Sequence, residues 1–167
     1  PVQISHIESH YPNWGKEEEI LKLIDEARSR GLDVLCDIPP YFRGTTSLNV
    51  LLPDWAHEGG AKEIAERLRD PEAREKIKEF VLTERKKHTL YPVTLVAQGI
   101  SNKIWIGTSQ KNPDLMGKSL AEISKLRGKA PLDVALDLIM EEEGESVMIT
   151  CEAHSEEDMR MLVAHPT

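Results

Sequence analysis

Two short apolar runs flank one amphipathic segment at the start of the chain. Residues 2–7 and 33–38 are nearly continuous hydrophobic runs of strand length, which is typical of parallel strands covered on both faces of a sheet. Between them, apolar residues recur at helical spacing from about residue 16 to residue 30, and Gly31 is placed to end that helix. A strand, a helix and a second strand in this order predict a βαβ unit with parallel strands.

The pattern changes after Pro39 and Pro40, and no regular alternation of strand and helix returns before residue 146. Asp70, just before Pro71, and Ser155, just before an acidic turn, are predicted helix N-caps. The periodicity predicts a loop over 41–58, helices over 61–69, 71–87, 119–126, 131–143 and 155–164, and strands over 93–98, 103–107 and 146–151.

This order of elements predicts an α/β fold: a partial (β/α)8, TIM-barrel-type segment with a mostly helical insertion. Residues 1–45 would form the barrel βαβ segment, residues 46–130 the insertion, and residues 131–167 an αβα return to the barrel, all within one compact unit. The chain enters a strand directly after Pro1, with no preceding turn. We therefore expect an internal segment of a longer chain, with a natural short protein as the alternative.

Composition narrows the class of protein. With 167 residues and a net charge of −8 spread along the chain, it lacks the basic patch expected of a nucleic-acid-binding protein. The apolar runs are too short to span a bilayer, and no secretory signal opens the chain. The two cysteines, Cys36 and Cys151, lie in apolar runs and are expected to pack as small hydrophobic side chains. We expect a cytoplasmic protein that contacts neither nucleic acid nor membrane.

Polar side chains that can ligate metals follow the first predicted strand. His6, Glu8 and His10 lie two residues apart, and because side chains in a strand repeat every two residues, all three would face the same way. Imidazole and carboxylate are groups that zinc prefers in proteins. The residues alone leave two interpretations open: a self-contained metal site, or polar groups that form hydrogen bonds at the end of a strand.

Other polar residues carry simpler expectations. His57, His88 and His154 have polar neighbours and are predicted to be solvated. The run 141–143 of three glutamates is predicted to be the solvated end of a helix. Asp33 and Asp37 flank the second strand and are predicted to form hydrogen bonds in a loop or cap, and the alternative is that one of them supports a site residue. The regions of Trp55 and Trp105 are expected to build a small core within the insertion. No nucleotide-binding, serine-hydrolase or zinc-finger motif is present.

Several blocks of sequence share their order and spacing with one enzyme family. They are Ile4-Ser5-His6 with Asn13-Trp14-Gly15, Asp37-Ile38-Pro39-Pro40-Tyr41 with Gly44-Thr45-Thr46, Leu51-Leu52-Pro53-Asp54-Trp55 with Glu58-Gly59-Gly60, Leu68-Arg69-Asp70-Pro71, 117–123 with Arg127-Gly128-Lys129, Pro131-Leu132-Asp133 with Leu136-Asp137-Leu138, and 155–159 with His165-Pro166. In these blocks the chain is similar to the central part of the N-acyl-D-amino-acid deacylases (D-aminoacylases) of the amidohydrolase superfamily.

This resemblance implies a (β/α)8 barrel that holds zinc at the C-terminal ends of its strands, where a metal-activated water attacks an amide carbonyl. It makes His6 a metal ligand. Tyr41 matches the last tyrosine of a family motif, although Pro39 replaces the first one, and is expected to contact substrate. Glu8 stands where the family usually has a lysine suited to the substrate's carboxylate, so it is expected at the substrate with reversed charge.

The resemblance also implies what these residues lack. The family's other metal ligands do not match any position here, and its catalytic aspartate would lie beyond Thr167, so no catalytic residue is assigned in this chain. We predict the central segment of a zinc-dependent hydrolase of linear amide bonds that acts on a small-molecule N-acyl amino acid or related amide, with the segment inactive by itself. The alternative is a non-catalytic binding or assembly domain of the same fold, and exposed sheet edges favour self-association.

Overall fold

The computed structural model describes residues 1–8, 10, 13–85, 91–152 and 154–166. In chain order its elements are β1 (Val2–Ile4), α1 (Glu17–Ser29), β2 (Val34–Cys36), β3 (Arg43–Ser47), α2 (Asp54–His57), α3 (Ala61–Arg69), α4 (Pro71–Thr83), α5 (Tyr91–Ala97), β4 (Ile104–Thr108), α6 (Leu120–Arg127), α7 (Pro131–Glu141), β5 (Met148–Glu152) and α8 (Glu156–Ala164). The mixed α/β class agrees with the prediction, and the barrel itself stays a proposal.

The chain divides into two compact units. The first unit is Pro1–Gly44 with Glu152–Thr167, and the second is Thr45–Cys151. The predicted segments 1–45, 46–130 and 131–167 follow one another along the chain, whereas the first unit combines both ends of it. That division stays a prediction.

Two parallel strands and two helices form the first unit. β1 pairs with β2 in parallel, with Val2 opposite Val34, and α1 connects the two strands, which confirms the predicted βαβ unit. The acidic first turn of α1 and Arg28 in its last turn both complement the helix dipole. α8 packs against α1, and the core between these elements is built by Ile7, Leu21, Ile24, Val34 and Leu162.

The parallel sheet is more exposed than its apolar sequence suggests. Both strands are shorter than predicted, and Leu35 on β2 is 51% exposed. Val34 is buried, whereas Val2 and Ile4 on β1 remain partly exposed although they are paired. The prediction of a sheet covered on both faces is therefore wrong for this chain, because α1 and α8 pack on one face only of a sheet of two strands.

The second unit is organised around α7. Val134, Leu136, Leu138 and Ile139 are completely buried, so this helix has apolar contacts on most of its circumference. α3, α5 and α6 pack against it, together with a short 3₁₀ turn at Leu48–Leu51 whose leucines are also fully buried. The loop predicted over 41–58 is therefore wrong in part, because the strand β3, this turn and the short helix α2 lie within it.

A three-stranded sheet with the order β3–β5–β4 completes this part of the fold. β4 and β5 are antiparallel, with Ile106 opposite Ile149 and Ile104 opposite Cys151. Cys151 is fully buried and Cys36 partly buried, and both are free thiols, as expected from their apolar surroundings. Trp55 itself is 39% exposed, but the regions of Trp55 and Trp105 supply the buried side chains of Leu52, Ala56, Ile104 and Ile106, as predicted.

The strand predicted over 93–98 is wrong, because this segment lies in the helix α5. Val93, Thr94, Leu95 and Val96 are all buried, so the segment has no polar face that would reveal a helical period. Its β-branched residues then favour a strand by propensity alone, and tertiary packing overrides that preference. Within the described residues, none of the helices has the length and apolar character needed to cross a bilayer.

Candidate functional site

His6 lies immediately after β1 in an unusual backbone conformation. Its φ is 57°, in the left-handed region that costs a non-glycine residue roughly 1–2 kcal/mol, and its side chain is exposed. The carboxylate of Asp37, which follows β2, accepts a 2.9 Å hydrogen bond from the His6 amide. The Ile7 amide donates to the Asp37 carbonyl at 2.9 Å, so the chain after β1 is fastened to the chain after β2.

Asp37 is the residue that organises this turn. Its carboxylate also accepts hydrogen bonds from Gln3 Nε2 at 3.1 Å and Ser5 Oγ at 3.2 Å. The hydrogen bond from the His6 amide, followed by those from Ser5 and Gln3, lowers the pKa of Asp37, and burial opposes this shift. The predicted loop hydrogen bonding of Asp37 is confirmed.

The three polar residues of the first segment do not share one strand face. β1 ends at Ile4, so the two-residue repeat does not extend to His6. Glu8 and His10 do meet, with 2.5 Å between Glu8 Oε2 and His10 Nε2. The structure therefore brings two of the three predicted neighbours into a close polar contact.

His154 is the residue that sequence reasoning missed. It was predicted to be solvated, but it is only 2% exposed, and its ring lies 5.7 Å from that of His10 between centroids. Its Nε2 is 4.0 Å from Glu8 Oε1. Burial lowers the pKa of His154, and the neighbouring His10 adds to this effect, while the charges of Glu8 and Asp158 oppose it. His57 is exposed as predicted, and His88 lies outside the described residues.

Asp158, whose charge acts on His154, is one of two buried carboxyl groups in this region. Asp158 accepts hydrogen bonds of 3.1 Å from the Gly15 amide to both of its carboxylate oxygens, and it contacts the fully buried Glu17. Burial raises the pKa of Asp158, but hydrogen bonds from Glu17, Ser155 and Gly15 outweigh it, so the pKa is lowered.

Tyr41 follows the two prolines after β2 and is 68% exposed. A cleft of about 300 Å³ lies nearby in the first unit, lined by Ile7, Leu21, Cys36, Ile38, Pro40, Leu162, Val163 and His165. Neither His6 nor Tyr41 lines this cleft. The substrate-contacting roles of Tyr41 and Glu8 thus remain predictions.

The acidic residues at the end of α7 have structural roles. The run 141–143 was predicted to be solvated, but Glu142 is buried and accepts hydrogen bonds from the Ser109 hydroxyl and, at 2.8 Å, from the Lys111 amide. Burial opposes ionisation of Glu142, yet the Ser109 and backbone donors lower its pKa. Asp137, one turn earlier, is held by Arg74 and Lys129, which lower its pKa against the effect of burial.

A metal ion requires several converging donors, and the residues present do not supply them as they stand. Across the ranges that the structure describes, no three His, Cys, Asp or Glu side chains are arranged to hold a metal ion. His6 is exposed, and the hydrogen bond that it donates to Asp37 comes from its backbone amide. The self-contained metal site considered for His6, Glu8 and His10 therefore finds no support in this geometry.

Solved structures of two related enzymes share this fold. The chain matches the N-acyl-D-glutamate deacylase of Bordetella bronchiseptica, determined with zinc and a phosphonate inhibitor, with a TM-score of 0.56 and 22% sequence identity. It matches a D-aminoacylase, described as defining a novel subset of amidohydrolases, with a TM-score of 0.54 and 23% identity. A further D-aminoacylase structure, described through its binuclear metal center, also has a TM-score of 0.54 and 23% identity.

These matches cover 98% of this chain but only 24% of each matched chain, so the chain spans about a quarter of their length. At such identities the likeness is one of fold, and at that level the resemblance to the D-aminoacylases is confirmed. Comparison with protein-family models gives no match, and comparison with curated protein sequences gives no significant match.

Proposed function

We propose that these residues are the central segment of a zinc-dependent amidohydrolase that cleaves the amide bond of N-acyl-D-amino acids or related amides. The observation that carries the proposal is the fold likeness over nearly the whole chain to an N-acyl-D-glutamate deacylase and to D-aminoacylases. The sequence blocks that resemble the same family run in the same order along the chain.

The placement of His6 is compatible with this role. His6 follows the carboxyl end of β1, and in parallel α/β folds functional side chains gather at the carboxyl ends of strands. Asp37, at the same end of β2, holds the His6 amide and so fixes the turn from which the imidazole projects. In the proposal His6 is one metal ligand, and Asp37 positions it.

The segment by itself is proposed to be inactive. The described residues contain no ligating group of three, and the family's catalytic aspartate has no counterpart within residues 1–167. No step of the reaction is therefore assigned to side chains of this chain. Glu8 is proposed to face the substrate where the family usually has a lysine, and its carboxylate would disfavour an anionic substrate group.

The decisive experiment uses the product of the complete open reading frame that contains this chain. Purified with zinc and supplied with a panel of N-acyl-D-amino acids and their amides, it should release free amino acid, and its zinc content should fall in His6→Ala. Asn13→Ala, which changes a residue of the following loop, serves as the control that retains zinc. Absence of amide hydrolysis across the panel would reject the deacylase proposal.

A second candidate is a non-catalytic assembly domain of the same fold. The observation that favours it is the exposed parallel sheet, in which Val2 is 55% exposed and Leu35 is 51% exposed. Two paired strands with open edges offer backbone groups to a further strand. If this candidate is right, light scattering should show self-association of the 167-residue chain at micromolar concentration, and Leu35→Lys should reduce it, whereas a monomer at every concentration would exclude it.

A further inference from the structure

A group of five titratable side chains lies in the first unit where the segment after β1 meets the start of α8. We call it the His154 cluster, and its members are Glu8, His10, Glu17, His154 and Asp158. Glu8 and His10 come from the segment after β1, Glu17 opens α1, and His154 and Asp158 flank the N-terminus of α8. All are at most partly exposed.

His154 is the member whose chemistry is unexplained by its contacts. Its side chain is 1% exposed, and neither ring nitrogen has a hydrogen-bond partner among the described residues. A buried imidazole without partners loses the hydrogen bonds that it makes with water in the unfolded chain. Such a group is retained only where the surrounding contacts hold it in place, and it invites a functional explanation.

The segment after β1 and the helix α8 both present groups that would respond to the protonation of His154. Glu8 Oε1 lies 4.0 Å from His154 Nε2, but the other oxygen of Glu8 is already engaged by His10 at 2.5 Å. Asp158 faces the ring from α8, and its carboxylate is occupied by the Gly15 amide and by the Glu17 carboxyl group. Protonation of His154 would therefore add a positive charge to a buried set in which Glu8 and Asp158 already have close polar partners.

The segment between Ile7 and α1 depends on these polar contacts. Between Ile7 and Leu21, Glu17 is the one described residue that is fully buried, and it is polar. The 3.1 Å bonds from Gly15 to Asp158 and the contacts of Glu8 and His10 with His154 link this segment to α8. Polar contacts around one buried imidazole are sensitive to its charge in a way that an apolar anchor is not.

We infer that the first unit contains an acid-released clasp, in which protonation of the buried His154 frees Glu8, His10 and Gly15 from the start of α8. Burial disfavours the imidazolium in the closed form, so the open form binds the proton more tightly. Closed contacts are therefore complete above the ordinary histidine value of about 6.5 and weaken as the pH falls below it. The inference concerns a conformational device and does not depend on the proposed enzymatic function.

Hydrogen exchange measured by mass spectrometry tests the clasp on the 167-residue chain. After correction for intrinsic exchange, amides of peptides covering 8–16 and 154–160 should lose protection between about pH 7.5 and about pH 5, by up to about tenfold for each pKa unit that separates the open and closed forms. Peptides from α7, the central helix of the second unit, should keep their protection from hydrogen exchange over the same pH range.

Two variants separate His154 from the other titrating groups. His154→Gln removes the titrating imidazole and keeps a polar side chain at this position, so the loss of protection with acid should disappear. His165→Gln, which changes another first-unit histidine paired with Asp25, should leave the loss unchanged. A wild-type chain whose protection does not change with pH, or a His154→Gln chain that still opens with acid, would overturn the inference.

A measurement on the wild-type chain keeps the test decisive if His154→Gln fails to fold. The imidazole of His154, followed by NMR of its ring protons, should titrate at the same pH as the midpoint of the protection loss. A titration separated from that midpoint by more than about one pH unit would assign the opening to another group and reject the clasp.

Discussion

Glu142 fixes the loop that follows β4 through its charge. The side chain projects from the end of α7 into a set of donors formed by the Ser109 hydroxyl and the amides of residues 110–112, which together lower its pKa. A buried carboxylate with several charge-assisted hydrogen bonds is stabilising only as long as all of its donors stay in place. Removal of the charge of Glu142, or of its hydrogen-bond donors, would therefore destabilise the fold.

Glu142→Gln should therefore lower the free energy of unfolding by about 1.5–3 kcal/mol, because a neutral amide replaces an ionised acceptor and adds a donor that faces other donors. Urea denaturation followed by circular dichroism measures the change. Glu143→Gln is the matched control at the adjacent, exposed position, where only a 3.5 Å ion pair with Lys111 is lost, and it should change the free energy by less than about 0.5 kcal/mol. Equal effects of the two substitutions would contradict the assigned role of Glu142.

The environment of single polar residues was the least predictable aspect of this chain. Glu142 and His154 both lie among polar neighbours in sequence, which indicates exposure, yet partners far along the chain bury them: Ser109 for Glu142, and Glu8 and His10 for His154. Asp37 was predicted correctly because its role follows from its place at the end of a strand. Burial decided by long-range contacts has no signature in a local window of sequence.

Helix ends, in contrast, follow from local signals. Asp70 and Ser155 accept hydrogen bonds from the amides of Glu72 and Asp158, as expected of N-caps, and α3 has the predicted bounds 61–69. The helix that Ser119 opens has a capping box with Glu122 and ends before Gly128 in the left-handed conformation. These elements need no tertiary information to begin and end where they do.

Gly144, just beyond α7, combines a left-handed backbone with a close approach to another element. Its φ is 79°, and a Cβ at this position would lie 1.9 Å from the carbonyl oxygen of Ala61. Gly117 has the same φ of 79° but nothing within 4 Å of such a Cβ. A substitution at Gly117 therefore tests the cost of backbone strain alone, and one at Gly144 tests backbone strain together with steric overlap.

Gly117→Ala should cost roughly 1–2 kcal/mol of stability, the penalty for a left-handed residue with a side chain. Gly144→Ala should cost more than about 3 kcal/mol, because α3 must move away from α7 as well. Thermal unfolding of both variants beside the wild-type chain measures the difference. Similar melting temperatures for the two variants would contradict this expectation and would mean that α3 moves at Ala61 with little loss of stability.

Across the whole molecule, stability should decline with acid in two stages. His154 has a lowered pKa, so its contribution is complete above about pH 6.5 and is lost as the pH falls from there towards its folded value. Asp137, Glu142 and Asp158 have lowered pKa values too, and their contribution is present above the unfolded values near 4 and is lost below them. Urea midpoints measured from about pH 8 to about pH 3 should fall gently first and steeply afterwards.

At this scale, the sequence is a good guide to the class of fold and a poor guide to its surface. The parallel βαβ unit and the fold resemblance to D-aminoacylases were both predicted, because apolar runs and block order survive in sequence. The exposure of Leu35 was not, because an apolar strand has the same pattern whether or not a further element covers it. The helix α5 was missed for a related reason, since a segment buried on all sides has no amphipathic period.

The two cysteines offer one more consequence of the way their strands are packed. Burial on β5 raises the pKa of Cys151 to about 12, which leaves it almost without thiolate at neutral pH, whereas Cys36 is partly exposed. A maleimide dye should therefore attach once to the native chain, at Cys36, and twice in denaturant, as intact mass spectrometry would count. Attachment at Cys151 under native conditions would report opening of the second unit. Cys36 can therefore carry a fluorophore in the first unit of the native chain, and the rate of labelling at Cys151 would measure how fast the second unit opens.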